Sequence, residues 1–99
     1  MERKPSYGMV EEKREQILDA AQCCGARNVR LFGSLARGEG KADSDFDILC
    51  EFEPTRTLLD QVELALRLEK ILGRKVDVVT PNMLNEQIRK TVLNEAIQI

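Results

Sequence analysis

The stretch LFGSLARGEGKADSDFDILCEF, residues 31–52, decides how the chain is read. It opens as an apolar run that stops at Gly33-Ser34, crosses a polar segment, and resumes as an alternating pattern. In that pattern Phe46, Ile48, Cys50 and Phe52 share one face, and Asp45, Asp47, Leu49 and Glu51 share the other. Two strands joined by a glycine-containing connection account for it. In the plainest account the glycines make turns and the aspartates are surface charge. Electrostatics asks for more, because carboxylates two apart on a strand project to the same side. At about 4 Å two such charges repel by about 4 kcal/mol at an effective dielectric of 20. A pair so placed is well solvated, shares a proton, or is bridged by a cation. Magnesium is the natural cation, since it takes hard oxygens from one or two carboxylates together with a substrate's phosphates.

Working outward, residues 7–24 carry a helical pattern with Val10, Ile17, Ala20, Ala21 and Cys24 on one stripe and Gly25 placed to end it. The opposite face, with Glu11, Glu12, Arg14 and Glu15, reads as a solvated one. NVRLFG, residues 28–33, is the strand before the turn, and DFDILCEF, residues 45–52, the strand after it. Residues 58–72 form a helix opened by Thr57, with Asp60 three residues on, and closed by Gly73. Its buried side is expected to hold Leu58, Leu59, Val62, Ala65, Leu66 and Leu72. KVDVVT is a third strand, after which Thr80 is expected to cap the last helix with Pro81 in its first turn. Leu84, Ile88 and Val92 mark that helix's apolar stripe. The expected order is helix, strand, strand, helix, strand, helix, in one domain over residues 1–99 without internal repeats.

Composition bounds what such a domain can serve. At 99 residues roughly 60–70% of the unfolded chain's surface can be buried, which leaves little room for a separate substrate-gripping domain. Hydrophobic content of 42% against 32% charged supports a real but small core. Fifteen basic and seventeen acidic residues give a net charge of −2, so the broad positive field of a non-specific nucleic-acid binder is missing. Cys23, Cys24 and Cys50 are odd in number, and with no histidine they complete no zinc set, so they read as reduced thiols. The amino-terminal residues MERKPSYGMVEEKREQ lack the apolar run of a signal peptide, and no stretch approaches the ~20 apolar residues of a membrane span. The expectation is a soluble, cytoplasmic chain with neither direct nucleic-acid nor membrane contact.

The polar connection suits a phosphate. Gly33 lets the backbone approach an anion closely, and Ser34 offers a hydroxyl and an N–H. A short helical turn starting there would point its amides outward, and Arg37 and Lys41 would add charge-assisted bonds. Gly33 and Gly38 have P-loop spacing, but Glu39 stands where that motif needs lysine, so a Walker A reading is rejected. Asp77, in the otherwise apolar VDVV, is either a third carboxylate completing a two-metal site or a solvated strand position. Glu51 and Glu53 read as surface charge.

Gly33-Ser34, ten intervening residues and then Asp45-Phe46-Asp47, followed by VDVV, resemble the minimal nucleotidyltransferase family of the polymerase-beta-like superfamily. The likeness runs from about Val29 to Thr80. It implies an α/β (α+β) fold, a small mixed sheet flanked by helices, with transfer of a nucleoside monophosphate from a nucleoside triphosphate. It implies Gly33 and Ser34 as phosphate contacts, Asp45 and Asp47 as ligands of a pair of magnesium ions, and Asp77 as the third carboxylate. Arg37 matches a frequent Ala-Arg-Gly element of the family.

Many members resemble antitoxins paired with a HEPN-domain ribonuclease toxin, on which they adenylylate a tyrosine. The expectation is therefore Mg-ATP-dependent transfer of AMP to a partner's hydroxyl, with the partner supplying the missing wall of the site. Two alternatives stand beside it: a binding module that neutralises its partner by contact alone, and transfer to a small molecule. Homo-oligomerisation is left open.

Overall fold

The computed structural model describes residues 5–38 and 45–99. The expected first helix is divided into α1, Pro5–Glu12, and α2, Arg14–Cys23. Lys13 between them has φ −99° and ψ 10°. The hydrogen-bond ladder nevertheless runs through the bend, from the Lys13 N–H to the Met9 carbonyl at 3.1 Å and from the Ile17 N–H to the Lys13 carbonyl at 2.9 Å. Periodicity is blind to a one-residue change of dihedral that preserves the ladder. Val10, Ile17, Ala20, Ala21 and Cys24 are buried as expected, and Gly25, with φ 75°, turns the chain out of α2.

Next come β1, Ala26–Phe32, the single turn α3, Ser34–Arg37, and β2, Phe46–Phe52. After them are α4, Leu58–Leu72, β3, Val76–Val79, α5, Glu86–Glu95, and the short β4, Ile97–Gln98, which sequence reading does not anticipate. The capping box of α4 forms as expected, with the Thr57 side chain accepting from the Leu59 N–H and Asp60 from the Thr57 N–H. The start of the last helix is a correction. Thr80 makes no capping bond, and Pro81–Met83 is a separate 3-10 turn that ends at the extended Leu84. The helix restarts at Asn85, whose side-chain oxygen accepts from the Ile88 N–H at 2.9 Å.

Among the described residues the strands form one mixed sheet in the order β3-β2-β1-β4. β1 is antiparallel to both β2 and β4, while β2 and β3 run parallel, joined through α4. The core lies where α2 and α4 pack against one face, around the fully enclosed Ile17, Leu31, Phe46, Ile48, Leu64 and Leu68. Cys24 and Cys50 are buried there, all three cysteines are free, and burial pushes the Cys50 thiol up to about 12. Among the described residues no helix is long and apolar enough to cross a membrane.

The buried face of α4 is the second correction. Leu64, Leu68 and Leu72 are inside and Ala65 is partly so, whereas Leu58, Leu59, Val62 and Leu66 are 73%, 79%, 54% and 55% exposed. Leu58, Val62 and Leu66 have the same four-residue spacing as Leu64, Leu68 and Leu72, so the helix carries two apolar stripes and periodicity cannot choose between them. Tertiary contact chooses: the Gln61 side chain donates to the Val78 carbonyl at 2.8 Å and fixes the rotation of α4 against β3. On α5, of the three residues expected along its apolar stripe only Val92 is buried, and Ile88 stays 49% exposed.

Candidate active site

Strand register assembles the acidic cluster. The β1–β2 pairing sets Phe32 opposite Asp47, and the β2–β3 pairing sets Asp47 opposite Asp77. Residues paired across neighbouring strands share a face, and strands lie about 4.7–4.9 Å apart. Asp47 and Asp77 therefore stand side by side on the face away from the main core, where β1 ends and β2 and β3 begin. Asp45, exposed, immediately precedes β2.

Gly33 is required there twice over. Its φ of 78° is in the region that side chains avoid, and a Cβ on it would strike Asp47 Oδ2 and lie 3.1 Å from Asp47 Cγ. The turn and the carboxylate thus touch directly. Ser34 is the first residue of α3, the capping position belongs to Gly33, and no side chain caps the turn. The first backbone bond of α3 runs from the Arg37 N–H to the Gly33 carbonyl at 3.1 Å, so the amides of Ser34, Leu35 and Ala36 come before any helical ladder.

Asp47 is half-buried. Its own desolvation, and then the charges of Asp77 and Asp45, push its carboxyl above the ordinary aspartate range, while Arg37 acts against them. Arg37 also meets Glu95 of α5, Nη1 to Oε2 at 3.2 Å. Among the described residues no three acidic or cysteine side chains close into a preformed metal cage. Asp45, Asp47 and Asp77 are brought near one another without converging on one point. Lys41, proposed from sequence beside Arg37, lies outside the described residues, as does Asp43.

Sequence reading missed the part of this face built by α5. Phe32 and Gly33 from the strand end, Arg37 from α3, and Ile88, Val92 and Glu95 from α5 line one cavity. Glu95 is 58 residues from Arg37, and nothing local in either segment signals that they meet.

A hard-oxygen acidic cluster lies against a Gly-Ser turn at the strand ends of a mixed α/β sheet, an arrangement chemically suited to a phosphate chain. Residues 10–99 match the family model for the nucleotidyltransferase domain, and the chain belongs to that family. It is an enzyme, a nucleotidyltransferase. It is 47% identical over 75 residues to the protein adenylyltransferase MntA of Thermococcus cleftensis, a match that covers 76% of each chain. A solved minimal nucleotidyltransferase superposes with a TM-score of 0.84 at 46% identity, covering 93% of this chain and 94% of that one. A toxin–antitoxin structure with AMP-PNP has the same fold, with a TM-score of 0.71 at 24% identity, covering 85% of this chain and 69% of that one.

Proposed function

We propose that the chain transfers AMP from Mg-ATP to a tyrosine hydroxyl of a HEPN-domain toxin, as the antitoxin of that pair. The observation that carries this reading is the half-buried Asp47, in register with Asp77 and roofed by Gly33. Burying like charges together is unfavourable unless a cation is bound among them. The oxygen-only donors Asp45, Asp47 and Asp77 fit magnesium, and the bare backbone of Gly33 lets the Gly-Ser turn lie directly against Asp47. Magnesium, when bound, would neutralise phosphate charge and make the acceptor hydroxyl more acidic.

The chain's own groups divide the remaining work. The Ser34 hydroxyl and the outward amides of α3 hold phosphate oxygens, and Arg37 adds a charge-assisted bond from the side of α5. The acceptor oxygen approaches from the Asp77 side and forms a bond to the α-phosphorus. The bond from that phosphorus to the bridging oxygen breaks, pyrophosphate leaves past Gly33, and the hydroxyl proton passes to the Asp77 carboxylate or to water. That the Thermococcus relative is a protein adenylyltransferase supports a protein acceptor, and that the AMP-PNP-bound neighbour is a toxin–antitoxin assembly supports a toxin as that protein.

The test is incubation with Mg-ATP and the HEPN-domain protein of the neighbouring gene, followed by intact mass. A gain of one AMP on that partner is expected. Asp77→Asn should retain ATP binding and lose transfer at least 100-fold, while Asp45→Asn and Asp47→Asn should lose both. A tight complex with no change of mass would replace this reading with neutralisation by contact.

A further inference from the structure

The edge of the sheet beside Asp77 is left half paired. Among the described residues β3 pairs with β2 alone, and the Phe46 N–H donates to the Lys75 carbonyl at 2.9 Å. Bonded residues alternate along a parallel ladder, so Lys75, Asp77 and Val79 turn their backbone groups toward β2, and Val76 and Val78 turn theirs outward. Two of these four outward groups are taken by α4. The Val76 N–H donates to Glu69 Oε2 at 3.3 Å, and the Val78 carbonyl accepts from the Gln61 side chain at 2.8 Å. Among the described residues nothing pairs with the other two, the Val76 carbonyl and the Val78 N–H, which flank Asp77.

The open pair has the spacing of one added residue. In a parallel strand a single residue donates its N–H to the position before its neighbour and accepts from the position after it, so one residue opposite Asp77 uses both groups. A second copy of the chain fits poorly. Identical edges related by a two-fold axis run antiparallel, and residues opposite Val76 and Val78 would each need a group that Glu69 or Gln61 already holds. An added strand would also find an apolar floor. Gln61, Ala65 and Glu69 form the flank of α4 beneath this edge, and the next row around the helix is Leu58, Val62 and Leu66, all exposed. Alternation puts the side chain opposite Asp77 on the acidic face and its two neighbours on the α4 face, over that row.

We propose that the β3 edge and the Leu58, Val62 and Leu66 row form the docking site of the acceptor: an extended segment of the partner protein adds to the sheet as a parallel strand, its acceptor residue opposite Asp77 and its apolar neighbours on α4. The inference rests on the transfer reading above for the nature of the partner, and its test does not depend on turnover. The partner protein of the transfer experiment is titrated into the chain without nucleotide by calorimetry, and backbone amide exchange is followed by NMR. Exchange at Val78 should slow at least about tenfold in the complex. Leu66→Asp, checked for folding by circular dichroism, should weaken partner binding at least about tenfold and hold Mg-ATP affinity within about twofold. A complex in which Val78 exchanges as in the free chain, or a folded Leu66→Asp protein that binds the partner as tightly as wild type, overturns the docking site; AMP transfer by the same wild-type complex then leaves the transfer reading standing. Binding with Val78 protected but no AMP on the partner upholds the docking and overturns the transfer. A wild-type chain that neither binds nor modifies the partner overturns both. Protection of Val78 in the isolated chain, lost on dilution, assigns the edge to a second copy and overturns the docking.

Discussion

Asp47→Asn should make the unliganded protein more stable while removing its activity. The substitution keeps the shape of the side chain and deletes a charge that desolvation and two neighbouring carboxylates oppose. Asp47 and Asp77 face each other across adjacent strands, where like charges about 5 Å apart repel by ~0.8 kcal/mol at the dielectric of water and ~1.7 kcal/mol at half that value. Asp77 is exposed, which favours the lower figure, so a net gain of about 1 kcal/mol is expected. In a domain of this size that corresponds to a rise in Tm of about 4–8 °C. A carboxyl whose folded-state pKa is raised binds its proton more tightly in the folded than in the unfolded chain. It contributes stability below the unfolded value of about 3.9 and loses that contribution as pH rises through the folded value. The gap between variant and wild type should therefore be widest near pH 7 and close toward pH 4. Thermal denaturation followed by circular dichroism at both pH values measures it. Repetition with magnesium should raise the wild-type Tm more than that of the variant. A variant less stable than wild type at pH 7, or a gap equally wide at pH 4, would refute the claim that Asp47 is held against its own charge.

Gly33→Ala should cost at least about 2 kcal/mol in urea denaturation, because it combines a positive φ with a Cβ driven into Asp47, and it should also weaken triphosphate binding by calorimetry. Stability within about 0.5 kcal/mol of wild type would show that the turn relaxes freely. Leu64→Ala should cost about 2–5 kcal/mol and Leu59→Ala no more than about 0.5 kcal/mol, a contrast that denaturant melts resolve. Equal losses would contradict the rotation of α4 fixed by Gln61.

Local chemistry was legible wherever one segment carried the whole signal. Thr57, Asp60 and Gly73 bound α4 because caps act over a few residues, and Gly25 ends α2 for the same reason. The acidic face of β2 follows from strict alternation, whereas the sequence left Asp77 of VDVV either a third carboxylate or a solvated strand position, and only the β2–β3 register sets it opposite Asp47. What escaped was decided between distant segments. The rotation of α4 depends on Gln61 reaching Val78, β4 depends on pairing with β1, and the placement of α5 brings Val92 into the interior and Glu95 to Arg37, 58 residues away. Each is a choice among arrangements of similar local merit, which only packing resolves.

The two faces of the sheet are built to opposite ends. Toward α2 and α4 the strands bury Leu31, Phe46 and Ile48 completely, and that face supplies most of the apolar burial in the domain. At the strand ends of the other face, Asp47 and Asp77 are held together against their mutual repulsion, and Gly33 is held at positive φ directly above Asp47. Neither feature helps the empty protein fold. Under the proposed function the repulsion is offset once a cation binds beside the carboxylates, and the missing Cβ at Gly33 lets the turn lie against Asp47. The same arrangement explains why the repulsion persists: an amide at Asp47 would relieve it, and would also remove the charge through which cation and substrate binding would lower the energy of the folded chain.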